Sequence, residues 1–144
     1  MALKIELKPG ERVIIGECVV TNQSQRTRLL IEGAVPILRE KDIVTQSGAN
    51  TPAKRIYFAV QLMYTSKQPQ NHYEFYLGLV RRILKAAPST RPFLERINNQ
   101  ILTGEFYKAL KEARKLIAYE KELLDYASRH QSLRGDRQGD SEPA

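Results

Sequence analysis

Few residues in this 144-residue chain could make or break a covalent bond. The histidines are His72 and His130, and the one cysteine is Cys18. Neither histidine has a carboxylate or cysteine at triad or metal-ligand spacing, which argues against acid–base and metal chemistry. Cys18 lies in the apolar run Cys18-Val19-Val20, where a thiol is expected to act as a small core residue. A single cysteine also rules out an internal disulfide or a thiolate cluster. The carboxylates Glu105, Glu112, Glu120 and Glu122 fit helix-face charges placed to pair with Lys or Arg one turn away. No glycine-rich loop runs into Lys-Ser or Lys-Thr, so no phosphate loop is present. No catalysis, cofactor or metal is expected. Binding or regulation is the chemistry that remains.

Charge gives that binding a direction. Lys and Arg number 23 against 16 Asp and Glu, a net charge of +7. The excess is uneven: residues 1–50 hold 7 basic and 6 acidic, residues 51–128 hold 13 and 7, and residues 129–144 hold 3 and 3. A basic excess favours a polyanionic partner such as a nucleic acid. One basic group sits in the first third: Lys4, Lys8, Arg12, Arg26, Arg28 and Arg39. Such residues on a sheet could hold phosphates, and Arg could also meet base edges. On spacing alone, solvated strand faces and guarded sheet edges explain them better. A second group comprises Arg81, Arg82, Lys85, Lys108, Lys111, Arg114, Lys115 and Lys121. Interleaved Glu112, Glu120 and Glu122 make it a mixed face, suited to solvent or a protein partner. Tyr107, Tyr119 and Tyr126 are expected to lean toward the apolar stripe, leaving no base-stacking aromatic there.

The elements that must position these residues follow from periodicity. Leu3, Ile5 and Leu7 alternate with Lys4, Glu6 and Lys8, the pattern of a strand with one buried face. Pro9-Gly10 turns the chain, and Arg12–Gly16, Cys18–Asn22 and Thr27–Gly33 are strand-like. Ile37–Glu40 with Ile43-Val44 makes a last short strand, giving about five in a meander or small barrel. After the polar stretch Thr45–Thr51 the period lengthens. Thr51-Pro52 opens a helix carrying Ile56, Ala59, Val60, Met63 and Tyr64. Residues His72–Ala87 form a second, with Tyr73, Tyr76, Leu77, Val80, Ile83 and Leu84 on one stripe. A third runs from Ser89 or Thr90 to about Leu102, and a fourth from about Glu105 to Ala127. The expected fold is α+β: a small antiparallel sheet or barrel over residues 1–45, then a bundle of about four helices over 46–128. The polar stretch 129–144 is expected to be disordered. No apolar run approaches the roughly 20 residues of a membrane span, and no secretory signal opens the chain, so a cytoplasmic location is expected.

Several blocks are similar to a known family. "MALKIELKPGERVIIG", "QRTRLLIEG", "PILREKDI", "TPAKRIYFAVQLMY" and "INNQILTGEFYKALKEARKLIAYEKELL" resemble the FlbT family of flagellum biosynthesis repressors over residues 1–127. The resemblance implies a post-transcriptional repressor of flagellin that acts at the 5′ untranslated leader of its mRNA, promoting decay or blocking translation. It also implies FlaF as a functional partner. A second resemblance covers residues 3–44. "KPGERVIIG" followed by "RLLIEGAVPILREKDI" is similar to the carbon storage regulator (CsrA) pattern. That pattern implies RNA contact by Lys8 and Arg39, with Glu40 beside them. Two chains of that family exchange strands, which makes a homodimer an expectation here. Leu7 and Leu38 stand where the pattern has Arg and His. The expected RNA-binding set is Arg39, Lys8, Glu40, Lys4, Arg26 and Arg28.

Overall fold

The N-terminal third is rich in β-branched residues, and its segments pair as five short antiparallel strands in the computed structural model. The structure describes residues 2–141, with side chains through His130. The strands are β1 (Ala2–Leu7), β2 (Arg12–Ile15), β3 (Cys18–Thr21), β4 (Thr27–Glu32) and β5 (Ile37–Arg39). They do not form a simple meander. β1 skips its neighbours to pair with β4, from Ala2 opposite Glu32 to Leu7 opposite Thr27. A separate sheet has the order β3-β2-β5. All these pairings lie within one chain.

Side-chain parity stacks the molecule in three layers. Ile5 and Leu7 of β1 meet Val13 of β2, with Ile15, Val20, Leu29, Ile31 and Ile37 around them, closing a small core between the two sheets. The opposite face of the β3-β2-β5 sheet presents Ile14 and Leu38, cross-strand neighbours, to the helices. Leu38 is only 1% exposed and belongs to the helical core. The sheet is therefore a middle layer, wet on neither broad face near β2 and β5.

The helices are α1 (Pro52–Thr65), α2 (Tyr73–Ala86), α3 (Arg91–Leu102) and α4 (Phe106–Ser141). The Thr51 side chain accepts a hydrogen bond from the Lys54 N–H and Pro52 fills the first turn, the expected start signal. Short 3₁₀ turns at Pro69–His72 and Pro88–Thr90 lead into α2 and α3. Gly104, at φ +76°, reverses the chain before α4. Helices α1, α3 and α4 bury Ile56, Val60, Met63, Leu94, Ile97, Leu110 and Leu116 against one another. The tail expected over 129–144 lies, beyond His130, outside the residues described with side chains.

Three expectations need correction. Ile43-Val44 is not a strand. Glu40–Asp42 curls into a 3₁₀ turn after β5, and the Val44 peptide is held by a side chain instead: its N–H donates to Gln61 Oε1 (2.8 Å) and its C=O accepts from Gln61 Nε2 (3.0 Å). Cys18 is exposed rather than core. It shares the inward parity of Val20 but sits at the hairpin tip beside Gly16-Glu17, beyond the residues that cover Val13. Tyr73 and Leu77 leave the α2 stripe for the surface, and Leu79 takes a buried place.

Candidate functional site

The rim where the two sheets meet gathers the cations of the first group. Arg39 ends β5 on the same face as Ile37, so its side chain leaves the small core at its edge. Three adjoining depressions of about 540, 640 and 250 Å³ all have Arg39 in their walls. The first adds Lys4, Glu6, Arg28 and Leu30 from the outer face of the β1-β4 ribbon, where Lys4 lies opposite Leu30 and Glu6 opposite Arg28. The third adds Lys8, Glu11, Arg26 and Lys41. Together they form a groove with Arg39 at its centre.

Asn22 explains why Lys8 and Arg26 arrive at one place, although they are far apart in the sequence. Its carboxamide donates to the carbonyls of Leu7 (3.0 Å), Lys8 (3.1 Å) and Gln25 (2.9 Å), tying the end of β1 to the approach to β4. Gly10, at φ +80°, completes this turn and donates its N–H to Asn22 O at 2.6 Å. The acids in the groove are partly committed. Glu6 pairs with Arg26 at 3.2 Å, and Glu11 Oε1 accepts the Lys8 backbone N–H at 2.8 Å. These exposed contacts fix side-chain positions more than they stabilise the fold.

The structure thus brings together Arg39, Lys8, Lys4, Arg26 and Arg28. It places Glu40 apart: that side chain turns to Arg12 on β2, 3.4 Å from its Nε, and lines none of the three depressions. Leu7 and Leu38, where the RNA-reading pattern has Arg and His, are 4% and 1% exposed. They are core residues of the two flanking layers, so the groove could not have used those positions.

Sequence reasoning missed one cation and the aromatic side of the site. Lys41 follows Arg39 into the groove because the 3₁₀ turn swings it there. The second depression adds Leu3, Val35, Tyr64 and Tyr107. Tyr107 was expected on the apolar stripe of α4; it is 45% exposed. Phe106 and Leu110 take the stripe, and Tyr107, one position on, swings about 100° round the helix toward the sheet. Its ring lies 5.6 Å from that of Tyr64, and Lys111 Nζ stands 5.1 Å from its centroid. Tyr126 is likewise exposed, whereas Tyr119 stacks on Phe93 at 4.6 Å. An exposed Tyr one residue from a helix start, followed four positions later by Lys, was the available signal.

The junction beneath the groove is rigidly tied. Tyr57 Oη donates to Asp42 O at 2.5 Å, Tyr64 Oη to Ile37 O at 3.3 Å, and Arg114 pairs with the Asp42 carboxylate. Burial raises the phenol pKa values of Tyr57 and Tyr64, the Arg114 contacts opposing it only in part at Tyr57. The hydrogen bond with Tyr57 holds the Arg114 guanidinium firmly charged. Glu112 of α4 is flanked by Lys115 of the same helix at 3.3 Å and by Arg96 of α3 at 3.5 Å, so the second basic group is partly neutralised. Among the described residues no three His, Cys, Asp or Glu side chains converge on a metal position, and no helix is long and apolar enough to cross a membrane.

Comparison with known proteins supplies the lineage. The family model "Flagellar protein FlbT" matches residues 3–124. The chain is 57% identical over 139 residues to the "Probable flagellum biosynthesis repressor protein FlbT 1" of Bradyrhizobium diazoefficiens, covering 95% of each chain. It is 51% identical over 124 residues to a Rhodopseudomonas palustris relative described as a "Probable flagellum biosynthesis repressor protein FlbT", covering 86% of this chain and 98% of that one. It is 36% identical over 144 residues to the "Flagellum biosynthesis repressor protein FlbT" of Caulobacter vibrioides, covering 94% of this chain and 99% of that one. No solved structure matches. The match spans both sheets, the groove and most of the described helices: the chain belongs to the FlbT family of flagellar proteins.

Proposed function

We propose that this protein represses flagellum biosynthesis after transcription, by holding the 5′ untranslated leader of flagellin mRNA in the groove around Arg39 and thereby blocking translation or promoting decay. The relatives' names support the repressor role. The observation that carries the RNA reading is the convergence of Arg39, Lys41, Lys8, Arg26, Lys4 and Arg28 on one concave rim, in a sequence segment whose net charge is only +1. A fold that merely kept charges wet would have spread them. Arg39 stands at the centre as a bidentate donor to phosphate or a base edge. The reading is of a binding protein acting in the cytoplasm, with no catalytic step.

The test is affinity for a flagellin leader RNA. Arg39→Ala should weaken binding about tenfold or more, as expected when a charge-assisted hydrogen bond is removed. It should also flatten the dependence of log K on log salt by about 0.7 for each phosphate of a single strand that is no longer neutralised. Arg39 is exposed, so the circular dichroism spectrum should not change. Unaltered affinity would remove Arg39 from the site.

A second reading has its own observation. Tyr73, Leu77 and Leu102 leave an apolar patch on α2 and α3, suited to a protein partner such as FlaF or a second copy of this chain. A gel shift that appears only when FlaF is added would favour this reading over direct RNA binding.

A further inference from the structure

The groove is basic along most of its length but changes character at one end. There, Tyr107, Leu3 and Val35 leave 45%, 44% and 46% of their surfaces in solvent, side by side around a depression of about 640 Å³. Leu3 and Val35 come from the sheet half and Tyr107 from α4, so the spot exists only because the helices pack against the sheets. Its Arg39 also lines both neighbouring depressions, and its Lys41 lines one of them. Apolar surface gathered in one place rather than scattered marks a contact site.

We infer that Tyr107, backed by Tyr64 and faced by Leu3 and Val35, seats one unpaired base of a single-stranded RNA whose phosphates run along the Arg39 groove. This deepens the RNA reading above and rests on it. Three observations fix the ligand chemistry. The cations favour a polyanion. The aromatic beside them favours a flat, apolar face, and that combination is how proteins hold single strands. A duplex would keep its bases stacked out of reach. The seat is also built before the ligand arrives. Tyr64 is anchored through its hydroxyl to Ile37 O, and its ring stands 44° to that of Tyr107 at 5.6 Å. Lys111 Nζ stands over the Tyr107 ring, 5.1 Å from its centroid, and does not line the depression, so it puts a further cation beside the seat rather than in it.

The chain contains no tryptophan, which makes the test direct. Tyr107→Trp introduces a single indole at the seat. Its emission should be quenched by an unstructured RNA of about 12 nucleotides, a typical length for a single-strand site. An abasic ribose-phosphate strand of the same length should leave it unchanged. Tyr107→Ala should lower RNA affinity about tenfold while leaving the salt slope as in wild type, because every phosphate keeps its cation. Tyr107→Phe keeps the ring and should bind as wild type does, which separates stacking from damage to the fold. If Arg39→Ala abolishes binding but Tyr107→Ala keeps wild-type affinity, or if equal quenching comes from the abasic strand, the base seat is overturned and the RNA reading stands. If the wild-type protein binds no RNA, both fall.

Discussion

The two halves of this molecule are stabilised very differently. The sheet half encloses Ile5, Leu7 and Val13 as its fully buried apolar residues, whereas the helical core runs continuously from Ala53 to Leu116 and takes in Leu38 from the strands. A core of the first size is too small to hold five strands by itself. The sheets therefore borrow stability from the helices, through Leu38 and Ile14 on one face and through Gln61, Tyr57 and Tyr64 at the edge. In exchange the sheet half carries the charged rim. The helical half acts as the foundation, and the sheet half carries the proposed binding surface.

The sharpest way to break this comparison is at Leu38. Leu38→Ala removes a strand side chain, yet it should cost about 2–5 kcal/mol and lower the melting of the helices, because the cavity opens in their core. Helical melting that stays put in urea or heat would mean the halves are independent. Gln61→Leu should cost somewhat less, about 1–3 kcal/mol. It leaves the Val44 N–H and C=O without partners at a partly buried site. Hydrogen exchange at Val44 should rise more than exchange within α1.

Alkaline pH probes the same junction more gently. Tyr57, Tyr64 and Tyr76 have raised pKa values, chiefly because burial disfavours the phenolate. The folded state thus keeps their protons longer than the unfolded chain does. Their contribution is complete below about pH 10, the ordinary tyrosine value, and is lost as pH rises above it. Thermal midpoints should be level between about pH 7 and 9 and fall beyond 10. Tyr57→Phe should blunt the fall. The smallest effect is expected from Arg114→Ala, about 1–2 kcal/mol: the guanidinium is half exposed, but the Asp42 carboxylate it leaves unpaired is only 11% exposed.

Sequence periodicity reached the element list but not the arrangement of layers. Strand count and the cap at Thr51-Pro52 could be read from local rules. The three-layer order could not, although a signal was present: Val13-Ile14-Ile15 and Ile37-Leu38 are unbroken apolar runs, the mark of strands covered on both faces. Alternation in β1 was legible because only one of its faces is buried. At the candidate site the cations were visible as residue types, and their convergence was not, because it depends on β1 pairing with β4 and on the Asn22 tie. Lys41 and Tyr107 escaped for a related reason. Lys41 owes its direction to the 3₁₀ turn after β5, which periodicity does not encode, and Tyr107, about 100° off the stripe, meets the sheet only through the way α4 packs.

The Gln61 clamp on Val44 bears on how rigidly the proposed groove is held. A connection between a sheet and a helical bundle would ordinarily be a hinge. Here the chain is fastened at Asp42 by Tyr57 and at Val44 by Gln61, both from the first helix after the linker. The distance from Arg39 to Tyr107 is thereby set during folding. A ligand that reaches both ends need not bear the cost of closing two bodies around itself, and one of the wrong length gains nothing by waiting. On the proposed RNA reading, selectivity is a matter of span, gauged by a fixed caliper.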